Sequence, residues 1–464
     1  MNLHEQGDPV VNLELTNEAS LLGGYDGDRF DPREAWYPVF YLQDLETQKP
    51  NAFTLLGIDL VIWWDAATQR WSALRDQCPH RLVPLSEGRI AEDGLLECPY
   101  HGWAFTGEGA CDRIPQQNPD ESAQSARRAC IPSFATQVCQ GLLFVYAGKI
   151  ENADQVAVPA IAPYDPTDPS WTCMEIARDL PYDAATLLEN VLDASHLPFT
   201  HHKSVGNRVN AAPMDLELKT SDKSGFTGHW AEGPRKGKLG SQDTVFIAPN
   251  LMWHDLTSKQ FGRTVTAVYA TPTRKGECRL FARFPFQFSS RIPETFIRLT
   301  PRWYSHLGQN AILEDDQIFL HVQERNLVKE GGSDAFAKAF YMPTKADRYV
   351  FEFRQWFNTY QAEPFPNQAL PSRQIRTALL GRYHSHTQNC ASCRSALANI
   401  RKLQTISVGL AIAATVGTAL LTAVPVWNGV LAGSAIALSL IAWGLQQLSQ
   451  RFYHGRVIPP RNRS

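Results

Sequence analysis

Four side chains constrain this chain more than any others: Cys78 and His80 in Cys-Pro-His-Arg, and Cys98 and His101 in Cys-Pro-Tyr-His-Gly-Trp. Residues 81–97 separate the two pairs, so the fold must return on itself to bring two loops together. Each pair mixes a soft thiolate with an imidazole, the donor set of a [2Fe–2S] cluster in which two histidines replace two cysteines on one iron. That replacement removes negative charge and raises the reduction potential, which suits a relay for single electrons. A structural zinc ion takes the same donors, but zinc-finger spacing pairs Cys with Cys and His with His. The mixed pairs favour the cluster over zinc.

Around these loops the pattern is short-period. Residues 36–41, 53–56, 60–64 and 71–74 are apolar, strand-length and separated by turn-forming segments, and 141–146 supplies a closing strand. The expectation is a β-rich domain over residues 35–150, in which Arg81 reads by default as a surface charge and Trp103 as a core aromatic. The run from Cys78 to Trp103 is similar to that of Rieske-type oxygenases. A cluster of this kind moves electrons and does not itself activate dioxygen, so a second centre is expected.

Residues 183–200 carry it. Ala184, Leu187, Leu188, Val191 and Leu192 have helical spacing, and Asn190, Asp193 and His196 follow at intervals of three, which predicts one edge of a single helix. Pro198 disfavours further helix and lets His201 fold back towards a metal held by His196. Two imidazoles and one carboxylate on one face form the donor set of non-haem iron(II) oxygenases. Asp193 is placed to orient His196 and link it to an incoming cluster histidine, since a metal-bound imidazole normally gives its other N–H to an oxygen. His202, beside His201, reads as a pocket or supporting residue, and the choice between His201 and His202 as the iron ligand stays open.

The missing carboxylate is expected in the helical run 310–325. Asp316 there has Ile312, Leu313, Phe319 and Leu320 at contact spacing, where an unpaired carboxylate is costly and a metal would satisfy it. Asp315 has nearly the same surroundings, so periodicity does not separate the two. Between these helices, residues 244–248, 251–253, 264–270 and 279–283 suggest an antiparallel sheet crossed by helices, with room for an apolar pocket. Trp253, Phe281, Phe284, Phe286, Phe288, Trp303 and Tyr304 are core aromatics by default, with a subset available to a large flat substrate.

The end of the chain changes character. Residues 405–424 and 426–445 are uncharged, split by Pro425, and each is long enough to cross a ~30 Å hydrocarbon core. Arg394, Arg401 and Lys402 precede them and Arg451, Arg456, Arg461 and Arg463 follow, so both ends are expected on the cytoplasmic side. Gly409, Gly417, Gly429 and Gly433 would let the two helices pack closely. Just before them stands Tyr383-His384-Ser-His386-Thr-Gln-Asn-Cys390-Ala-Ser-Cys393, read first as a redox-regulatory dithiol and second as a structural metal site.

The fold class is therefore α+β: a β-rich cluster domain, a catalytic domain of helices on an antiparallel sheet, and a C-terminal transmembrane helical hairpin. The expected divisions are an acidic arm at 1–34, the cluster domain at 35–150, the catalytic domain at 151–375, a Cys-x-x-Cys linker at 376–403, two membrane helices at 404–448 and a basic cytoplasmic tail at 449–464. A net charge of −3 gives no nucleic-acid surface, and nine irregularly spaced cysteines favour a reducing compartment over a disulfide framework. Residues 1–28 contain acids but no Lys or Arg, unlike a secretory or organellar targeting segment.

Taken together, the cluster motif, the Asn-x-x-Asp-x-x-His-x4-His run, the Asp316 helix, the His-Thr-x-x-Cys-x-x-Cys element and the terminal hairpin resemble the pheophorbide a oxygenase group. That group includes chlorophyllide a oxygenase and the Rieske protein of the plastid import translocon. The resemblance implies that Cys78, His80, Cys98 and His101 hold the cluster, and that His196, His201 and Asp316 hold a mononuclear non-haem iron(II). It also favours Asp316 over Asp315, as the second acid of the family's Glu-x-Asp pattern, and makes Asp193 the bridge between subunits. It implies a homotrimer, ferredoxin as electron donor, dioxygen as oxidant, a tetrapyrrole such as pheophorbide a as substrate, and thioredoxin acting on Cys390 and Cys393. His386 matches the family's His in that element and His384 does not. The acidic start, without a transit peptide, points to a cyanobacterial homologue at a thylakoid or plasma membrane. The other readings are an oxygenase of another hydrophobic ring compound, a membrane-tethered electron carrier and a translocon-associated protein.

Overall fold

Strand alternation explains how the two soluble domains meet. The computed structural model describes residues 29–463 except 259–261 and 421–424, so most of the acidic arm lies outside the described residues. Seven antiparallel strands form the central sheet, in the order Thr172–Leu180, Glu277–Gln287, Gly262–Arg274, Leu251–Ser258, Gln242–Ile247, Gly225–Trp230 and Leu216–Asp222. Along Gly262–Arg274, Val268 and Ala270 point to one core with the helices Ala184–Leu192 and Arg348–Thr359. Val265, Ala267 and Tyr269 point to the other, against Trp36, Tyr41, Leu142, Phe144 and Tyr146 of the cluster domain. The period of two thus buries both faces of one sheet. Trp253 and Phe281 are fully committed to this second core.

The cluster domain is β-rich as expected. Strands Asn51–Leu55, Ile58–Asp65 and Arg70–Arg75 pair with Ser133–Phe134, while Trp36–Tyr41 and Thr136–Cys139 flank Leu142–Tyr146. A third small sheet of Arg89–Ile90, Leu96–Glu97, Ala104–Phe105 and Cys111–Arg113 carries the second Cys/His loop.

The expected single helix through His196 does not form. It runs Ala184–Leu192 and stops, with Asp193 extended at φ −83° and ψ 93°. Its carboxylate accepts from the Ser195 N–H at 2.8 Å and the Ser195 hydroxyl at 2.6 Å, competing with helix continuation and capping a new turn. Pro198 then sits in the first turn of a short helix, Leu197–Thr200, where its missing N–H costs nothing.

Two C-terminal helices, Ala391–Leu420 and Pro425–Gln450, are long and apolar enough to cross a membrane. They pair as a hairpin: the Gln404 amide donates to Gln446 at 2.8 Å, and a Cβ on Gly417 would meet Leu431 at 3.1 Å. Gly409, Gly429 and Gly433 face open space, so only Gly417 of the glycines expected to permit packing does so. Large side chains such as Leu410, Ile436 and Trp443 point outward uncovered. Both helices extend beyond their uncharged stretches, and the hairpin's foot packs against Leu307 of the long helix Arg302–Lys329. The segment read as a basic tail also folds back: Arg382 N–H donates to Tyr453, Gly455 N–H to Leu380, and Arg461 reaches Thr200 and Asp315.

Candidate active site: two metal centres on one chain

The two Cys/His loops are near copies. In the first, Cys78 N–H donates to Val83 and Leu82 N–H donates back to Cys78; in the second, Cys98 pairs with Trp103 and Gly102 in the same pattern. Each loop closes on a left-handed residue, Leu82 at φ 63° and Gly102 at φ 72°. Glycine takes that conformation freely, whereas Leu82 takes it at some cost. Cys78 and Cys98 are buried, while His80 lies at the surface, stacked on Trp103 with ring centroids 4.7 Å apart and an interplanar angle of 7°. His101 sits 4.6 Å from His80, and its Nδ1 is buried without a hydrogen-bond partner.

Burial pushes the Cys78 thiol up to about 12, so a thiolate there needs a cation beside it. Among the described residues the four side chains do not form a group whose ligand atoms all lie within 4.8 Å, as a single zinc ion would require. Two thiols inside and two imidazoles outside fit a dinuclear cluster.

The second centre forms where the interrupted helix meets the long helix Arg302–Lys329. His196, His201 and Asp316 bring one ligand atom each to within 4.8 Å of one another. Asp316 Oδ1 lies 3.9 Å from His196 Nε2, and Oδ2 lies 3.2 Å from His201 Nε2. Both imidazoles turn their other nitrogen outward. His196 Nδ1 meets the backbone carbonyl of Asp193, and His201 Nδ1 faces Asp315 Oδ2 at 3.6 Å. Asp316 Oδ1 is buried with no hydrogen-bond partner, as expected of an oxygen reserved for a metal. Asp315, equivalent by periodicity, instead receives the Ser204 hydroxyl at 3.3 Å. His202 is turned away and accepts from the Arg208 N–H at 3.3 Å.

Sequence reasoning missed the supports of this site. His254, partly buried on Leu251–Ser258, donates from Nε2 to the Val191 carbonyl at 3.0 Å and receives the Thr244 hydroxyl at 2.9 Å. Burial holds its imidazole down at about 4, so it is a neutral brace beneath the turn to His196. Arg461 donates to the backbone carbonyl of Asp315 at 2.7 Å, a contact from the far end of the chain that no local pattern signals. A cavity of about 530 Å³ lies elsewhere, lined by Asp179, Arg279, Gln317 and His384 among others, and includes none of His196, His201 and Asp316.

The donor set predicts how iron and protons compete. In metal-free protein, burial opposes charge on His201, but the Asp315 and Asp316 carboxylates outweigh it and hold the imidazole up at about 9. Because this value is raised, the proton stabilises the metal-free fold fully below the ordinary histidine range and that stabilisation is lost as pH rises towards 9. Iron held by His201 would have to displace the same proton, so iron(II) affinity should rise by up to about tenfold per pH unit between about pH 7 and 9. Titrating chelator-treated protein with iron(II) at several pH values checks this; an affinity independent of pH would contradict it.

Family comparisons agree with both centres. Residues 35–135 match the model of the Rieske [2Fe-2S] domain, and residues 246–334 match that of pheophorbide a oxygenase. The chain is 37% identical to chloroplastic pheophorbide a oxygenase of Oryza sativa subsp. japonica over 92% of its own length and 84% of that protein. It is 32% identical to chloroplastic flavonoid 8-hydroxylase 2 of Ocimum basilicum, over 94% of its length and 86% of that protein. The fold is also that of dicamba monooxygenase bound to dicamba, with a TM-score of 0.57 and 23% identity over 71% of this chain and 98% of that one. A Rieske cluster and a mononuclear non-haem iron thus occur in one chain, which belongs to the pheophorbide a oxygenase family of Rieske oxygenases.

Proposed function

We propose that this chain is a membrane-anchored, ferredoxin-dependent monooxygenase acting on a tetrapyrrole of the pheophorbide type. The observation that carries the reading is the convergence of His196, His201 and Asp316 behind a cluster domain. Cys78, His80, Cys98 and His101 are the cluster's ligands in this reading, and His196, His201 and Asp316 hold the iron. When bound, that iron supplies the dioxygen chemistry, with positions left open for oxygen and substrate. The balance is substrate, dioxygen, two electrons and two protons giving oxygenated substrate and water.

The chain's own residues supply orientation. The Asp193 carbonyl fixes which nitrogen His196 presents inward. Its carboxylate, held by Ser195 and partly exposed, is free to meet a cluster histidine of a neighbouring subunit. His80 and His101 form the cluster's outer edge, which suits electron transfer across a homotrimer interface and receipt of electrons from ferredoxin. Leu197 and Phe199, exposed between the two iron-ligand candidates, offer apolar surface at the approach to the iron. The hairpin and the basic residues that flank it support a reading in which the catalytic part lies on the cytoplasmic side of a membrane.

The tetrapyrrole reading follows the family name, and the flavonoid hydroxylase relative supplies the competing ring system. Purified chain with reduced ferredoxin and dioxygen should turn over pheophorbide a in preference to chlorophyllide a, protochlorophyllide and flavones. Turnover confined to flavones would overturn the substrate assignment and leave the oxygenase assignment standing.

A further inference from the structure

The Cys-x-x-Cys before the hairpin is not an isolated dithiol. The helix Arg302–Lys329 brings His306 to it, and the tight turn Tyr383–Thr387 brings His386. His306, His386, Cys390 and Cys393 are all at most 3% exposed, and their ligand atoms lie within 4.8 Å of one another.

His386 Nε2 is 3.1 Å from His306 Nδ1 and 3.3 Å from Cys393 Sγ, and His306 Nδ1 is 3.5 Å from both sulfurs. A tetrahedral zinc ion with its usual bond lengths has N···N edges of about 3.3 Å and N···S edges of about 3.5 Å. The outer nitrogens fix the tautomers. His386 Nδ1 lies 2.7 Å from the Ala177 carbonyl and His306 Nε2 lies 2.9 Å from the Glu175 carbonyl, both on Thr172–Leu180. A carbonyl only accepts, so each outer nitrogen carries the N–H and each inner one presents a lone pair. Two lone pairs facing each other at this distance repel unless a cation lies between them, and N–H groups braced on carbonyls are the usual backing of metal-bound histidines.

We propose that His306, His386, Cys390 and Cys393 bind a structural zinc ion that fastens the foot of the membrane hairpin to the helix carrying Asp316. The helix Ala391–Leu420 starts inside the site, and Leu307, Leu397, Ile400 and Phe452 pack around it. Zinc there ties three chain segments at a junction that packing and hydrogen bonds such as Thr387 to the Phe452 carbonyl also hold. The burial of both thiols also withholds them from a protein reductant while the fold is closed.

The test is zinc K-edge absorption and metal counting on the full chain purified in detergent. About one zinc per chain is expected, with two sulfur and two nitrogen neighbours at about 2.3 and 2.0 Å. His306→Ala and Cys393→Ser should each lose zinc by more than the ~10–100-fold affinity change that altering an outer partner causes. Cluster spectrum and iron content, read on the same samples, show whether the variants are folded. Absence of zinc from the wild-type chain would overturn the proposal, as would a zinc shell of oxygen and nitrogen only. A Cys390–Cys393 disulfide reversibly opened by thioredoxin in zinc-free protein would establish the redox dithiol instead.

Discussion

His196→Ala is expected to abolish substrate oxygenation and empty the mononuclear site while leaving the cluster's absorption and electron paramagnetic resonance spectra intact. Iron should fall from about three atoms per chain to about two, those of the [2Fe–2S] centre. If His196, His201 and Asp316 are the three protein ligands, removing one leaves Asp316 Oδ1, already without another partner, facing an unfilled space. Changes in groups that merely support a ligand cost ~10–100-fold, so loss of the ligand itself should exceed that. The residue is remote in sequence from Cys78, His80, Cys98 and His101, which is why the cluster should survive. Metal analysis, spectroscopy and oxygen uptake on one preparation check all three; full turnover would show that the iron is held elsewhere.

The second large effect is on stability. Glu314, two residues before Asp316, is buried between Arg178 at 3.0 Å and Arg382 at 2.6 Å. Arg382 also donates to the Arg451 carbonyl at the end of the hairpin, at 2.9 Å. The two guanidiniums hold the Glu314 carboxyl below its usual range despite burial. Glu314→Ala leaves two buried cations without their shared anion, and breaking such a group costs about 3–5 kcal/mol. A lowered denaturation midpoint is expected, together with easier proteolysis between residues 376 and 390. A variant as stable as wild type would mean that the arginines find other partners.

These contacts show what local sequence reveals and what it conceals. The cluster loops were legible because each is a self-contained hairpin of consecutive residues. His196 and His201 stand five residues apart on one short local segment, although the helix expected to join Asp193 to His196 is broken by Asp193 itself. Asp315 and Asp316 were indistinguishable by periodicity, since adjacent positions on a buried helix have similar neighbours. What separates them is the direction of two imidazoles fixed by a different segment. Glu314 with Arg178 and Arg382, His306 with Cys390 and Cys393, and Arg461 with Asp315 join parts of the chain far apart in sequence. No spacing rule covers them. Length and composition mark the hairpin, but they carry no sign that its foot and the residues after it are built against Leu307, Leu380 and Asp315.

The most direct measurement is oxygen-isotope incorporation. Purified chain supplied with reduced ferredoxin, pheophorbide a and ¹⁸O-labelled dioxygen should yield product containing one labelled oxygen atom, with the other recovered in water. Product labelled only from solvent, or cluster reoxidation with no labelled product from any ring substrate, would contradict an oxygenase and leave an electron carrier.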